Sequence, residues 1–181
     1  LTLDEFSKVT GKTAFPEFLQ KNLKNGNLEV FCNGEMNYTL KGKHAKVSVI
    51  WNFEAPEGAG DTHFSMMRGT KANLIIRQGK EENFKPTLYV ALLKGQDQEL
   101  ENAIASTLQV KYPGLGLQKQ ENGEYLIVIP ESYHIGHEAH FRQVTEKFLD
   151  YYESGKMPEW EVPNMIVKYY TTTKALEMAR E

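Results

Sequence analysis

Cysteine is nearly absent from this chain. A lone thiol, Cys32, among 181 residues cannot close an internal disulfide and has no second cysteine with which to share a metal, so the chain does not look like a small secreted scaffold. Long apolar runs are missing too: nothing approaches the roughly 18 consecutive apolar residues of a membrane span, and no membrane partner is expected. Basic runs are equally scarce. Twenty-one Lys and Arg against 24 Asp and Glu give a formal net charge of -3, which disfavours nucleic acid and anionic membrane surfaces as general partners. No charged segment followed by an apolar one opens the chain, so no signal peptide is read. A cytoplasmic setting is the expectation, with export of a longer parent left open. A Gly-x-Ser-x-Gly elbow is absent and Cys32 has no neighbouring base, leaving nucleophilic catalysis without visible machinery.

What is present suits a folded chain. Hydrophobic residues make up 40% and charged residues 25%, and nine Phe, nine Tyr and two Trp argue against disorder. A single domain over residues 1–181 can bury roughly 70% of its unfolded surface without a disulfide or metal. Leu1 is not an initiator Met, and Leu176-Glu177-Met178-Ala179-Arg180 runs helically to Glu181 without a glycine stop. The expectation is a piece of a longer polypeptide; a mature chain trimmed by processing is the alternative.

Thr2 and Glu5 have capping-box spacing, which predicts a short helix through Val9 ended at Gly11. Pro16 opens a second short helix over Glu17 to Leu23, before the turn Asn25-Gly26. The period then changes to that of strands. Tyr38 to Leu40 and His44 to Glu54 predict a hairpin across Lys41-Gly42-Lys43, with Val47, Val49, Trp51 and Phe53 on the face turned to a helix layer. Asp61 to Arg68, Ala72 to Arg77 and Thr87 to Leu93 predict three more strands, the last apolar on both faces and therefore central. Asp97 is a suitable N-cap for a helix carrying Leu100, Ala103, Ile104 and Leu108. Asn122-Gly123 predicts a hairpin between Leu117 to Gln120 and Tyr125 to Ile129. Phe141, Val144, Phe148 and Tyr152 form a helical stripe stopped by Gly155. Pro163 starts a last helix with Ile166, Tyr169, Tyr170, Thr173 and Leu176 inward. Neighbouring strands on short turns, with helices at the ends and one insertion, predict an α+β fold. Its mostly antiparallel or mixed sheet carries helices on one face and leaves the other open for oligomerisation.

Three patterns invite a chemical reading. Gly58-Ala59-Gly60-Asp61-Thr62-His63 resembles a dinucleotide fingerprint but has His63 where the third glycine belongs, and a strand period follows where a helix must begin. A flexible loop is the better reading, and no cofactor is expected on this chain. His137 and His140, three apart around Glu138, are one residue short of the His-Glu-x-x-His of a zinc helix. They are the weak metal candidates, against packed or polar residues at a helix start. Asn52, Glu54, Asp61 and His63 would gather at one end of a sheet if their strands pair through the loop 55–60. Carboxylates with a histidine grip sugar hydroxyls or move a proton; the alternative is an ordinary polar sheet face. Asn37-Tyr38-Thr39 fits a glycosylation sequon, a pattern too short to argue from alone.

The run from Val47 to His63, including Glu54-Ala55-Pro56-Glu57-Gly58-Ala59-Gly60-Asp61-Thr62-His63, and the run Met67 to Gly79, including Gly69-Thr70-Lys71-Ala72-Asn73-Leu74, resemble the C-terminal domain of bacterial oxidoreductases of the glucose-fructose oxidoreductase, inositol dehydrogenase and rhizopine catabolism (Gfo/Idh/MocA) family. His137-Glu138-Ala139-His140-Phe141, Phe148-Leu149, Gly155-Lys156-Met157-Pro158 and Ala175 to Arg180 resemble that family's closing helices. The resemblance covers essentially the whole chain. It implies an NAD(P)-dependent dehydrogenase of sugars or polyols whose N-terminal Rossmann domain holds the cofactor and a Glu-Lys-Pro lysine. The C-terminal sheet would wall the substrate pocket and form a subunit interface in a homo-oligomer. The Rossmann half is not in this sequence. Phe84-Lys85-Pro86 is only a partial likeness of Glu-Lys-Pro, so no catalytic residue is carried over and the chain is expected to be inactive alone. Glu54, Asp61, His63 and, behind them, Arg68 remain as candidate substrate contacts. A non-catalytic carbohydrate-binding or protein-interaction module is the alternative.

Overall fold

The chain opens as its first residues dictate. In the computed structural model, which describes residues 1–30, 32–52, 54–93 and 97–181, the Thr2 hydroxyl accepts from the Glu5 amide at 3.2 Å and the Glu5 carboxylate accepts from the Thr2 amide at 2.8 Å. This capping box starts α1 (Leu3–Thr10), and Gly11, at φ 69°, ends it. A 3-10 turn over Glu17–Asn22 follows, and Asn25-Gly26 joins the two-residue strands β1 (Leu23–Lys24) and β2 (Asn27–Leu28). β3 (Gly34–Leu40) and β4 (Lys43–Val49) pair antiparallel across Lys41-Gly42. Together with α5 (Glu161–Arg180) these elements make one unit, Leu1–Ala55 and Tyr151–Glu181.

The other unit, Pro56–Asp150, is built on a five-stranded antiparallel sheet in the order β5 (His63–Arg68), β6 (Ala72–Gln78), β7 (Thr87–Leu92), β9 (Tyr125–Val128), β8 (Gly116–Lys119). β7, the strand apolar on both faces, is the middle one. The β5–β6 turn is tight: a Cβ on Gly69 would stand 2.7 Å from the Ala72 carbonyl oxygen. Helix α2 (Asp97–Ala103), a π-helical turn over Ile104–Leu108 and α3 (Gln109–Lys111) cover one face. Val90, Ile104, Leu115, Tyr125 and Ile127 are buried there, with Leu88, Leu92, Leu100, Leu108 and Leu117 packed around them. The register Leu74↔Val90 and Ile75↔Tyr89 places Ile75 and Tyr89 on the opposite face, with Phe64 and Met66 of β5. This is the α+β architecture expected from the sequence. Helix α4 (Gly136–Ser154) leaves this unit and ends at Gly155, as its stripe requires.

Some sequence expectations give way. β4 stops at Val49, and Val47 and Val49 are 36% and 56% exposed rather than covered by a helix; Phe53, assigned to that face, lies outside the described residues. Alternation at β4 records a strand, not what lies over it. α5 begins two residues before Pro163, and its stripe is not inward: Ile166, Tyr169 and Tyr170 are 62%, 59% and 68% exposed. Asp97 is the first described residue of α2, and its carboxylate accepts from Lys119 and Tyr125 of the sheet.

Candidate functional site

The β5–β6 pair carries a polar corner at its open end, away from the Gly69–Ala72 turn. His63 opens β5 opposite Gln78, the last residue of β6. Gly79 to Pro86 then return the chain to β7 through Asn83 and Phe84, which hold φ of 52° and 57°. Two consecutive left-handed non-glycine residues are costly and persist only where neighbours over-determine them. Here the Phe84 amide donates to the Gly79 carbonyl at 2.7 Å. The Glu82 carboxylate accepts from the Gly79 amide at 3.1 Å and from the Tyr89 hydroxyl at 3.3 Å. Phe84 in turn closes on the preceding loop: a Cβ on Gly60 would stand 3.0 Å from the Phe84 Cβ, so a larger residue there displaces the segment that carries Asp61.

Behind this loop lies a satisfied wall. Both terminal nitrogens of Arg77 donate to Glu124, at 2.7 and 2.8 Å, although the residues are 47 apart in sequence. The guanidinium also sits 4.7 Å from the centre of the Tyr89 ring. The Arg77 hydrogen bonds, against the cost of burial, hold the Glu124 carboxyl below its ordinary range. Burial first, then Glu82, pushes the Tyr89 phenol up. Gln78 donates to the Asp61 carbonyl at 3.0 Å. In front is a shallow, open cavity of about 380 Å³, lined by His63, Phe64, Arg77, Gln78 and the turn from Gly79 to Glu82. The imidazole of His63, the ammonium of Lys80 and the carboxylate of Glu81 ring it, beside the exposed phenyl of Phe64. This combination can hydrogen-bond a hydroxylated ligand and offer it an apolar surface.

The sequence candidates divide over this geometry. Asp61 and His63 lie at the corner. Arg68 ends β5, about 17 Å away at ~3.4 Å per residue, and on the other face of the strand. Glu54 is in the first unit, 3.7 Å from Lys8. The pairing that would have gathered Asn52 and Glu54 with Asp61 and His63 does not form: β4 pairs with β3, and β5 with β6. The residues that build the wall, Arg77, Glu82, Tyr89 and Glu124, were not singled out from the sequence. Their one local signal is an arginine inside the apolar strand Ala72–Gln78.

Two other groupings resolve differently. His137 and His140 stand in the first turns of α4, where the His137 ring lies 4.7 Å from that of Phe141; among the described residues no group of three or more His, Cys, Asp or Glu is placed to hold a metal. Lys119 lies 5.1 Å from the Tyr125 ring, and a phenol beside an ammonium can protonate a carbonyl oxygen. Here, however, the Tyr125 hydroxyl donates to Asp97 at 2.6 Å, Lys119 meets the same oxygen at 2.9 Å, and Tyr125 is 5% exposed. That hydrogen bond raises the phenol pKa and lowers the Asp97 carboxyl. The trio is a strut joining α2 to the β8–β9 hairpin. No described helix is long and apolar enough to cross a membrane.

A family model described as "Putative oxidoreductase C terminal domain" matches residues 1–180. The chain is also similar to a putative oxidoreductase from Parabacteroides merdae ATCC 43184, known from a crystal structure, with 52% identity and a TM-score of 0.91. That match covers 99% of this chain and 42% of the Parabacteroides chain. No curated protein matches.

Proposed function

Because the chain belongs to the family of oxidoreductase C-terminal domains, we propose that it is the substrate-pocket and self-association domain of an NAD(P)-dependent oxidoreductase of the Gfo/Idh/MocA type, acting on a sugar or polyol. The parent's Rossmann domain supplies the cofactor site and the hydride chemistry. The observation that carries this division of labour is at Gly58-Ala59-Gly60. The chain leaves these glycines for β5, a strand, so the loop does not lead into a helix N-terminus and lacks the turn that cradles a pyrophosphate in a dinucleotide fingerprint. The residues of this loop do not fit a dinucleotide, and this chain is assigned no step with one. Its contribution is recognition. Asp61, His63, Lys80 and Glu81 offer acceptors and donors to hydroxyl groups, held in place by the Glu82–Tyr89 and Arg77–Glu124 wall. Self-association uses the sheet where Phe64 and Met66 are 64% and 40% exposed.

The full-length protein, screened with NAD+ and NADP+ against sugars and polyols, is expected to form reduced nicotinamide with at least one of them. Asp61→Asn in that protein is expected to raise KM several-fold and leave kcat nearly unchanged, since the residue binds and does not react. Titration of NADH with the isolated chain, followed by fluorescence, is expected to be flat. Micromolar binding, or a full-length protein that turns over no sugar or polyol with either cofactor, overturns the proposal.

A further inference from the structure

The two edges of the five-stranded sheet are unlike. β8 has four residues and ends on Lys119, held by Asp97. β5 has six, His63–Arg68, and among the described residues no strand pairs with its outer side. The direction of its free groups follows from the turn. The Gly69 amide donates to the Ala72 carbonyl at 2.9 Å, so residues 69 and 72 form a hydrogen-bonded pair. In an antiparallel ladder such pairs recur every second residue. Met67–Leu74, Ser65–Ile76 and His63–Gln78 are therefore the pairs that exchange bonds, and the amides and carbonyls of Phe64, Met66 and Arg68 point away from β6. Exposed edges in natural proteins are blunted by proline, a bulge or an inward-pointing charge. β5 has no proline, pairs with β6 without a bulge, and places its arginine at the last position. Phe64 and Met67 are 64% and 70% exposed.

Resting on the self-association proposed above, we infer that two copies join edge to edge along β5, antiparallel, about a twofold axis at Met66. The occupant is a second copy because the strand complements itself. With Met66 opposite Met66, steps of two residues set Phe64 of one copy opposite Arg68 of the other, and symmetry repeats the pair. The Arg68 guanidinium, which has no partner among the described residues, thus meets an exposed phenyl ring at both ends. In-register parallel pairing would instead set Arg68 beside Arg68, like charge against like.

The axis residue allows a direct test. The Met66 amide points outward, so Met66→Pro removes intermolecular bonds and none inside the sheet, whereas Met66→Ala removes only the side chain. Light scattering and sedimentation should show a dimer for the wild type and for Met66→Ala, and a monomer for Met66→Pro with unchanged circular dichroism. A dimeric Met66→Pro, or a Met66→Ala that dissociates as fully as Met66→Pro, overturns the edge seam and leaves self-association through the sheet face. A monomeric wild type overturns both. Should Met66→Pro fail to fold, hydrogen exchange of the wild type decides: the Phe64, Met66 and Arg68 amides become more protected as concentration rises, and constant, rapid exchange at all three sinks the seam.

Discussion

At Glu124 a single carboxylate ties the β8–β9 hairpin to β6, two strands away. It follows the Asn122-Gly123 turn, accepts both Arg77 nitrogens, and is 14% exposed in its side chain against 31% for Arg77. Its carboxyl is held below the ordinary 4.5, first by the Arg77 hydrogen bonds. A folded-state value below the unfolded one stabilises fully above the unfolded value and is lost as pH falls through the folded value. The pair's contribution should therefore be flat from neutral pH to about 4.5 and disappear below it, with the guanidinium charged throughout. Glu124→Gln is expected to cost about 1–3 kcal/mol near neutrality and to converge on the wild type as acid is added. Denaturant midpoints for the two proteins across that range test this; a difference unchanged between neutral pH and about pH 3 contradicts it. Asp97, also held low by the Tyr125 hydroxyl, titrates in both proteins and cancels in the comparison.

Among the elements, burial separates the π-helical turn from α4. Ile104 is 4% exposed and packs in the sheet's core, whereas Val144 in α4 is 54% exposed. Ile104→Ala is expected to lower stability by about 2–5 kcal/mol, through lost burial and a cavity, and Val144→Ala by no more than about 0.5 kcal/mol. Equal losses in urea titrations would show that α4 is covered in solution. The contrast also marks what can be read from sequence. The capping box at Thr2 and Glu5 and the turns at Asn25-Gly26 and Asn122-Gly123 were legible because each is decided within a few neighbouring residues. The central place of β7 was legible because it is apolar on both faces. The pairing of β3 with β4 was legible from the Lys41-Gly42-Lys43 turn, but whether residues 52–54 would also pair with 61–63 across the loop 55–60 was not, since alternation gives a strand its faces and not its second neighbour. Nor was the lie of α5, whose stripe has the same spacing whether or not anything covers it. At the polar corner Asp61 and His63 could be named from sequence, but the Arg77–Glu124 wall joins residues 47 apart and has no local signature.

For the molecule as a whole, the distribution of buried residues sets the order of unfolding. The unit Pro56–Asp150 is one continuous stretch of chain and contains the buried Ile75, Val90, Ile104, Leu115, Tyr125 and Ile127. The other is made of two separated stretches, Leu1–Ala55 and Tyr151–Glu181, and its buried apolar residues among those described are Phe6 and Leu28. Less apolar surface removed from water leaves less to offset the entropy of ordering the chain. Cooperativity within a unit does not by itself bind the two into one transition. Both tryptophans, Trp51 and Trp160, fall in the second of these units, so tryptophan fluorescence follows it alone. Circular dichroism in the strand region weighs the five-stranded sheet of the first more heavily than the shorter hairpins of the second. In urea the fluorescence transition is expected at lower denaturant than the strand signal. The excised segment 56–150 is expected to keep the later transition with its midpoint nearly unchanged. Superimposable curves from the two probes, or an excised segment without a cooperative transition, would mean that the sheet depends on the rest of the chain for its stability.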